Sequence, residues 1–515
     1  MKAFEDYFSF DALLGDLVQW RVAGNKGVGS VLPPRKSWMR DGYASRKKMS
    51  PKAVRHRAIV RRVNYERARG TMDRDEWGQK LAALVANIQS AVIGGSIKFE
   101  PPRIIQVPKG RKEGVMEYRN VASFERLEDR LILSRATAYV RDVLEDVLHS
   151  NCYSFRVSRE VSHKKAIADL QSWRKRFAAE EMWVSECDIK KFFDNISHDS
   201  IKLAWRMIDV GKFDPRVERI LDAYLDVYSS SEGVNRGIPQ GGSFSTVLAN
   251  LVLHEADSTV LNDADDKLFY ARYCDDVIIV SSDKEDCARA MQVYAQVLRA
   301  IDLEMHPIMS FEYLPGDDVS TKYYSIKSKG PFAWRNADVN EADVAPWISF
   351  LGCHIKFNGD TRIRKESIEK HKRSLGQETA KAIRSIKRGE LSGVSLANRR
   401  AWFARFRNRL IAKGVGYVTQ KVSDCDMWCW AGAFPHVTIC KETEMQMRML
   451  DRVREGLLSK VWRMVSESFP ESNSETRHKF KGRPYSYYAF LHKAVRPSNM
   501  AFLRRAARTL PYSEL

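Results

Sequence analysis

Two adjacent carboxylates interrupt the most strand-like stretch of the chain. Residues 267–280 read KLFYARYCDDVIIV, with Asp275 and Asp276 between two apolar halves. Strands of that composition are built for a core, and a core rejects paired like charges because desolvation and repulsion both oppose them. A hairpin with the acids at its tip resolves the conflict: the halves pair and the carboxylates stay near solvent. Neighbouring strand residues face opposite sides unless a turn re-aims them. A divalent cation would remove the remaining repulsion. Mg²⁺ prefers hard carboxylate oxygen and is commonly shared between one or two carboxylates and substrate phosphates.

Two further segments have matching chemistry. Asp188 closes the β-rich run VSECDI (184–189) and is followed by Lys190-Lys191-Phe192-Phe193-Asp194, 87 residues before Asp275. Carboxylates from two strands that converge on a pair of metal ions suit in-line phosphoryl displacement, where the ions clamp the attacking and leaving oxygens. Between them, Arg236-Gly237-Ile238-Pro239-Gln240-Gly241-Gly242-Ser243 forms a turn of small residues ahead of a helix-like run, FSTVLANLVLHEAD (244–257). Gly and Pro enforce the turn and permit close backbone approach, and such a turn at a helix N-terminus can meet a phosphate backbone. Alone, an acidic pair is a surface turn and Pro-Gln-Gly a loop. Their order, with strands around both acidic sites, selects the joint reading.

Charge points to the partner. The 515 residues hold 85 Lys and Arg against 65 Asp and Glu, a net +20. Residues 35–69 contain 13 Lys or Arg and two acids, which is +11 in 35 residues, with Trp38, Tyr43 and Tyr65 interleaved. Cations release phosphate counterions and aromatics stack on unpaired bases, so the segment is expected to bind RNA through Arg35, Lys36, Arg46, Lys47, Lys48, Arg61 and Arg62; a solvated helix face is the alternative. This balance excludes an acidic disordered tail. No run reaches the ~18 apolar residues of a membrane span, and the acidic N-terminus is unlike a signal peptide. A cytoplasmic protein without membrane contact, its eight cysteines reduced, is expected.

Four regions follow from patterning: a basic, mainly helical extension (1–103); alternating strands and helices (104–310); a stretch rich in turn formers (311–346) and a hairpin around Asn358-Gly359-Asp360 (together 311–375); and a helical C-terminal region (376–515). Leu133, Ala136, Val140, Val143 and Val147 mark one helix face, and Met447, Leu450, Val453, Leu457, Val461 and Met464 another.

The ordered segments resemble the reverse transcriptases of the bacterial, group II intron-like lineage. VPKGRKEGVMEYRNVASFERLEDRLI (107–132) is similar to its fingers segment, CYSFRVSREVSHKKAI (152–166) to the S-x-x-F-R-type segment that follows it, DIKKFFDNISHD, RGIPQGGSFSTVLANL and YCDD to its palm motifs, and FLGCHI (350–355) to its primer-grip hairpin. The resemblance implies an α+β fold: right-hand polymerase fingers and palm, an antiparallel sheet with helices, between the N-terminal extension and a thumb-like or thumb-replacing C-terminal domain. It implies RNA-directed DNA synthesis from dNTPs with two Mg²⁺ ions, for which Mn²⁺ can substitute. Asp188, Asp275 and Asp276 would be the catalytic metal ligands, with the carbonyl of Ile189. Lys109, Arg119, Phe192, Phe193 and Gln240 would bind the nucleotide, Phe193 by crowding a ribose 2′-hydroxyl. Arg236, Gly241, Tyr273, Phe350, Leu351 and Gly352 would lie along template and primer. Asp194 and Asp199 are expected to cap the next helix. The absence of endonuclease and RNase H modules places the chain nearest the defence-associated or abortive-infection enzymes, which implies a structured non-coding RNA as template or scaffold, a DNA product and a homo-oligomer.

One departure concerns LEMHPIMSFEYL (303–314), where Met309 or Ser310 stands in place of the lysine of many relatives; Lys322 or Lys327 can substitute only if the following loop folds back. Cys425, Cys429, His436 and Cys440 are spaced as a weak match to a zinc site, with reduced core thiols the default. Tyr485, Tyr487, Tyr488 and Tyr512 offer hydroxyls for protein priming, against core packing or RNA stacking. Two other readings use the same features: a template-independent or protein-primed DNA polymerase, and a maturase-like RNA-binding protein.

Overall fold

The computed structural model describes residues 2–34, 51–112, 115–158, 161–178, 180–208, 211–233, 235–262, 264–415, 430–434, 436–469 and 486–494. Arg35, Lys36, Arg46, Lys47, Lys48, Cys425, Cys429, Tyr485 and Tyr512 lie outside these residues, as does the side chain of Lys109. The chain forms two compact units, Met1–His163 with Trp183–Met309 and Ile326–Pro331, and Lys164–Met182 with Ser310–Ser325 and Phe332–Leu515.

The first unit opens with helices α1 (Phe4–Tyr7), α2 (Phe10–Val22), α3 (Pro51–Ala68) and α4 (Glu76–Gly94). Ser9 caps α2 by accepting the Ala12 N–H, and Leu13, Leu14, Leu17 and Val18 are buried. Strands β1 (Arg103–Lys112) and β2 (Val115–Ser123) form an antiparallel ribbon. Its register shifts between Pro108 and Gly110, so Lys109 is the extra residue of a bulge. Helix α5 (Leu127–Glu145) buries Leu133, Ala136, Val140 and Val143 of the face read from the sequence, whereas Val147 lies beyond its end and is half-buried. It holds α2 through Asp16, which pairs with Arg135 at 2.5 Å and accepts from Ser134 at 2.7 Å. Helix α6 (His163–Arg176) belongs almost entirely to the second unit.

A four-stranded sheet contains β3 (Trp183–Asp188), β4 (Leu268–Tyr273), β5 (Asp276–Ser281) and β6 (Lys329–Ala333), in the order β4-β5-β3-β6. The β4-β5 and β3-β5 pairs are antiparallel. Around it run α7 (Phe192–Asn195), α8 (His198–Ile208), α9 (Pro215–Glu232), α10 (Ser243–Asn262) and α11 (Lys284–Ala300). Helix α10 is buried on nearly every side, through Phe244, Val247, Leu248, Leu251, Val252 and Val260 among others, as expected of a helix that is apolar all round. Mixed helices with antiparallel sheets make the fold α+β.

Strand β6 lies inside the stretch read as a loop from its turn formers. Its sequence, KGPFA, has neither alternation nor a β-branched residue. What places it is close backbone packing: Gly330, at φ +111°, approaches so closely that a Cβ there would sit 2.5 Å from the Val184 carbonyl oxygen.

The second unit, described by itself, has a three-stranded antiparallel sheet, β7 (Trp347–Phe350), β8 (Cys353–Lys356) and β9 (Thr361–Ile363). The sequence pointed to two strands here. A second tight turn at Leu351 (φ +47°) and Gly352 (φ +84°) divides the first run in two. Helices α12 (Lys365–Lys387), α13 (Leu396–Gly414), α14 (Lys441–Ser468) and α15 (Tyr487–Ala494) follow. Helix α14 buries Met447, Leu450, Arg454, Leu458, Val461 and Val465, so the stripe includes an arginine and drifts by one residue from the apolar positions expected. Arg454 reaches Asp451 at 3.0 Å and lies 5.1 Å from the Tyr487 ring centre.

Candidate active site

The site begins with strand register. Asp188 is the last residue of β3 and Asp276 the first of β5, and they are directly paired across the ladder. Asp276 is also paired with Tyr273, so β4 and β5 are joined by Cys274 and Asp275 alone. Two-residue hairpins need positive φ, and Cys274 supplies it at +61°. The turn breaks the alternation of strand side chains, and Asp275 comes within electrostatic range of Asp188. Burial raises the Asp275 carboxyl above the ordinary aspartate range, and the Asp188 charge adds to that. Its own backbone N–H, Cys274 and Lys327 act in the opposite sense. Asp276 is exposed.

Lys327 forms an ion pair with Asp188, Nζ to Oδ2 at 2.5 Å. The loop condition read from the sequence is therefore met for Lys327, while Lys322 pairs with Asp317. Ser328 accepts the Asp188 N–H at 3.2 Å, and the Asp188 carbonyl accepts the His306 N–H at 2.9 Å. Ile189 is buried and bridges to Met305. Among the described residues, no group of three or more His, Cys, Asp and Glu is arranged to hold a metal ion. The donor set is nonetheless one that suits a divalent ion: two facing carboxylates whose mutual repulsion is relieved by a cation, here an ammonium.

Around the carboxylates, Phe192 is buried and Phe193 half-buried, their ring centres 5.2 Å apart. The Phe193 carbonyl accepts the Ile238 N–H at 2.8 Å and the Ile196 carbonyl the Gly237 N–H at 2.7 Å, which ties the 236–243 turn to α7. Arg236 bridges to Ser197 and is exposed. Gln240 donates to Asp194 at 3.4 Å, and its carbonyl accepts the Ala122 N–H at 3.2 Å. Gly241 has φ +91°, and a Cβ there would sit 2.8 Å from Val121 Cγ1. Arg119 projects from β2 opposite Val107 and is exposed. Tyr273 is half-buried, 6.3 Å from Phe155.

Other expected residues belong to other elements of the chain. Phe350, Leu351 and Gly352 form the β7-β8 turn of the second unit. Arg62 pairs with Glu66 at 2.6 Å on α3, and Arg61 lies on the same helix. Asp194 sits within α7 and Asp199 in the first turn of α8; the residue that accepts from the α8 backbone is Ser197, from the Ser200 N–H at 3.0 Å. Cys440 is near Thr443, and the Tyr487 hydroxyl is buried against His371 at 2.6 Å.

Sequence reasoning missed the polar residues behind the site. His198 joins Gly237 O at 2.8 Å to Ser229 Oγ at 3.0 Å, and burial lowers its pKa, so the neutral ring fastens the turn. Beneath the hairpin, Arg272 and Asp257 form a fully buried ion pair. The signal was present as an arginine inside LFYARY and an aspartate inside an apolar helix run.

Residues 110–311 match the family model described as "Reverse transcriptase (RNA-dependent DNA polymerase)". They form a reverse transcriptase domain with the fingers and palm that this fold implies. Curated proteins similar to it include a group II intron-encoded protein. The chain is 26% identical to Protein YkfC of Escherichia coli K12 over 35% of its length and 45% of the relative's. It is 32% identical to the group II intron-encoded protein LtrA of Lactococcus lactis over 26% of its length and 21% of the relative's. It thus spans less than half of the curated relatives it matches. Among solved structures, it is similar to telomerase from Candida albicans in complex with a fragment of telomeric RNA, at 11% identity and TM-score 0.40, over 84% of this chain and 69% of that one.

Proposed function

We propose that this chain is an RNA-directed DNA polymerase that uses dNTPs and two Mg²⁺ ions. The observation that carries the reading is the pairing of Asp188 with Asp276 beside a turn that brings Asp275 under the influence of Asp188. Asp188 and Asp275 would hold the metals, with Asp276 and the Ile189 carbonyl assisting. Bound divalent ions supply activation of the 3′-hydroxyl and charge stabilisation at the α-phosphate and the leaving pyrophosphate. Lys327, which pairs with Asp188, would neutralise charge on the leaving phosphates if a metal took its place at that carboxylate. Lys109 and Arg119 would meet the triphosphate, Phe193 would exclude a 2′-hydroxyl, and Arg236, Gln240 and Gly241 would guide the template. The primer would run along Tyr273 and along Phe350, Leu351 and Gly352.

The net charge of +20 supports RNA as partner. The fuller reading is DNA synthesis in the cytoplasm, by a homo-oligomer, on a dedicated non-coding RNA in antiphage defence. Its support is the lineage of the domain together with the basic extension. The test is extension of an oligo(dT) primer on poly(rA) with dTTP or UTP. Mg²⁺-dependent use of dTTP, lost in Asp275→Ala, supports the reading. Equal activity in the variant would reject it.

A further inference from the structure

The palm hairpin is gripped from behind by a buried polar network. Arg272, in β4, is fully buried, and so is Asp257 in α10. A guanidinium has five N–H donors and no acceptor, and every direction is used here. Nε donates to Asp257 Oδ1 at 2.7 Å and one terminal nitrogen to Asp257 Oδ2. That nitrogen also reaches Cys152 Sγ at 3.2 Å. The other donates to Asn250 Oδ1 at 3.1 Å and to the Cys274 carbonyl at 3.3 Å. Asn250 and Asp257 are seven residues apart and share one face of α10. Tyr270 adds its hydroxyl to Asp257 at 2.7 Å.

The network ends on the turn. Ser154 Oγ accepts the Cys274 N–H at 3.0 Å and donates to Asn250 Oδ1 at 3.0 Å. Both backbone polar groups of Cys274 are therefore held by buried side chains. Ser154 is itself placed by the neighbouring backbone: the Arg272 N–H donates to Asn151 O and the Tyr153 N–H to Arg272 O, both at 2.9 Å. A left-handed residue in a two-residue turn has few neighbours to fix it, and the direction of the next side chain depends on its φ and ψ. Burying an ion pair contributes little net stability against an apolar replacement, so stability alone does not account for it.

We propose that Arg272, Asp257, Asn250 and Ser154 are positioning residues that lock the Cys274-Asp275 peptide and so aim the Asp275 carboxylate. The catalytic role of Asp275 is taken from the function proposed above; the locking of the turn is independent of it.

The experiment uses the full chain as wild type, Ser154→Ala, Arg272→Lys and, as a buried control in the second unit, Thr379→Ala, whose hydroxyl bonds its own helix at Leu375 O. Amide hydrogen exchange at residues 273–276 is read by fragmentation mass spectrometry, and oligo(dT) extension on poly(rA) by initial rates. In Ser154→Ala the Cys274 amide should exchange at least tenfold faster while β4 and β5 keep their protection. Its kcat should fall at least tenfold with KM for dTTP within twofold. Arg272→Lys should show the same pattern, and Thr379→Ala neither change. Exchange and kcat within twofold of wild type in Ser154→Ala would overturn the proposal, whether or not Arg272→Lys folds. Faster exchange with unaltered kcat would also overturn it, because the turn would then be loosened without consequence. Should wild type extend nothing, the function proposed above fails, and the exchange measurement alone decides whether the turn is locked.

Discussion

The decisive residues are few, and their chemistry is expressed through their neighbours. Asp275 is held in a partly buried position beside another carboxylate, which raises its pKa. Replacing it removes repulsion as well as the metal ligand proposed above. Asp275→Asn is therefore expected to lower DNA synthesis by at least 10³-fold while the melting temperature without metal stays level or rises; a large fall in melting temperature would contradict this. Phe193 makes a separate case. Its ring is only half-buried, so Phe193→Ala leaves the core largely intact, and competitive incorporation assays should show at least a tenfold gain in ribonucleotide use relative to deoxynucleotide. The three acids were legible in the sequence because charge inside apolar strands demands an explanation. Lys327 was legible only conditionally, since nothing local shows that a distant loop returns to Asp188. Arg272 and Asp257 were overlooked because each, read alone, is one polar residue in an apolar run, and only the fold brings them together.

At the scale of elements, register and close approach outweigh propensity. Strand β6 would not be chosen from KGPFA, yet Gly330 lets it lie against β3. Gly330→Ala should destabilise the protein by about 2 kcal/mol or more, since strain at positive φ and a backbone clash combine; chemical denaturation would measure it. The α14 stripe drifted from its apolar positions for a related reason. Arg454 occupies a core place on its aliphatic stem, and a pattern that admits only apolar residues passes over it. The second unit also contains a pH-sensitive element. His371 is buried on α12, stacked 4.3 Å from Trp430 and bonded to Tyr487, and burial with help from Lys413 and Arg454 lowers its pKa from 6.5 to about 4. A depressed folded-state value means the unfolded chain binds the proton more readily. Stability is then fully present above pH 6.5 and lost as pH falls towards 4. The loss is about 3 kcal/mol at 1.36 kcal/mol per unit. Denaturation midpoints of wild type and His371→Gln at pH 7.5 and 4.5 should differ in slope, with the variant flatter. The same burial leaves the Tyr487 hydroxyl as a core group rather than a priming nucleophile.

For the whole molecule, the excess of positive charge would set how it meets the RNA proposed as its partner. Affinity should fall steeply with salt, because each phosphate contact to a single strand contributes about −0.7 to the slope of log K against log salt. Replacing Arg35, Lys36, Arg46, Lys47 and Lys48 with Gln should reduce the magnitude of that slope by about 2 to 3, measured by fluorescence anisotropy on a single-stranded RNA. An unchanged slope would show that the segment is a solvated arm. Among the described residues no helix is long and apolar enough to cross a membrane. The fingers and palm were readable as an ordered series of motifs because their chemistry restricts residue types. The C-terminal helices were readable only as helices, because apolar packing accepts many sequences.

The most direct test is synthesis on the RNA that the protein itself retains. The full chain, purified with co-bound RNA, would be given labelled dNTPs or NTPs with Mg²⁺, beside a variant carrying Asp275→Ala and Asp276→Ala, and the products sequenced and treated with RNase, DNase and protease. The account predicts DNA, made from dNTPs alone, complementary to the co-purified RNA and absent from the variant. Product of equal yield from the variant, or a homopolymer that stays with the protein until protease is added, would contradict it.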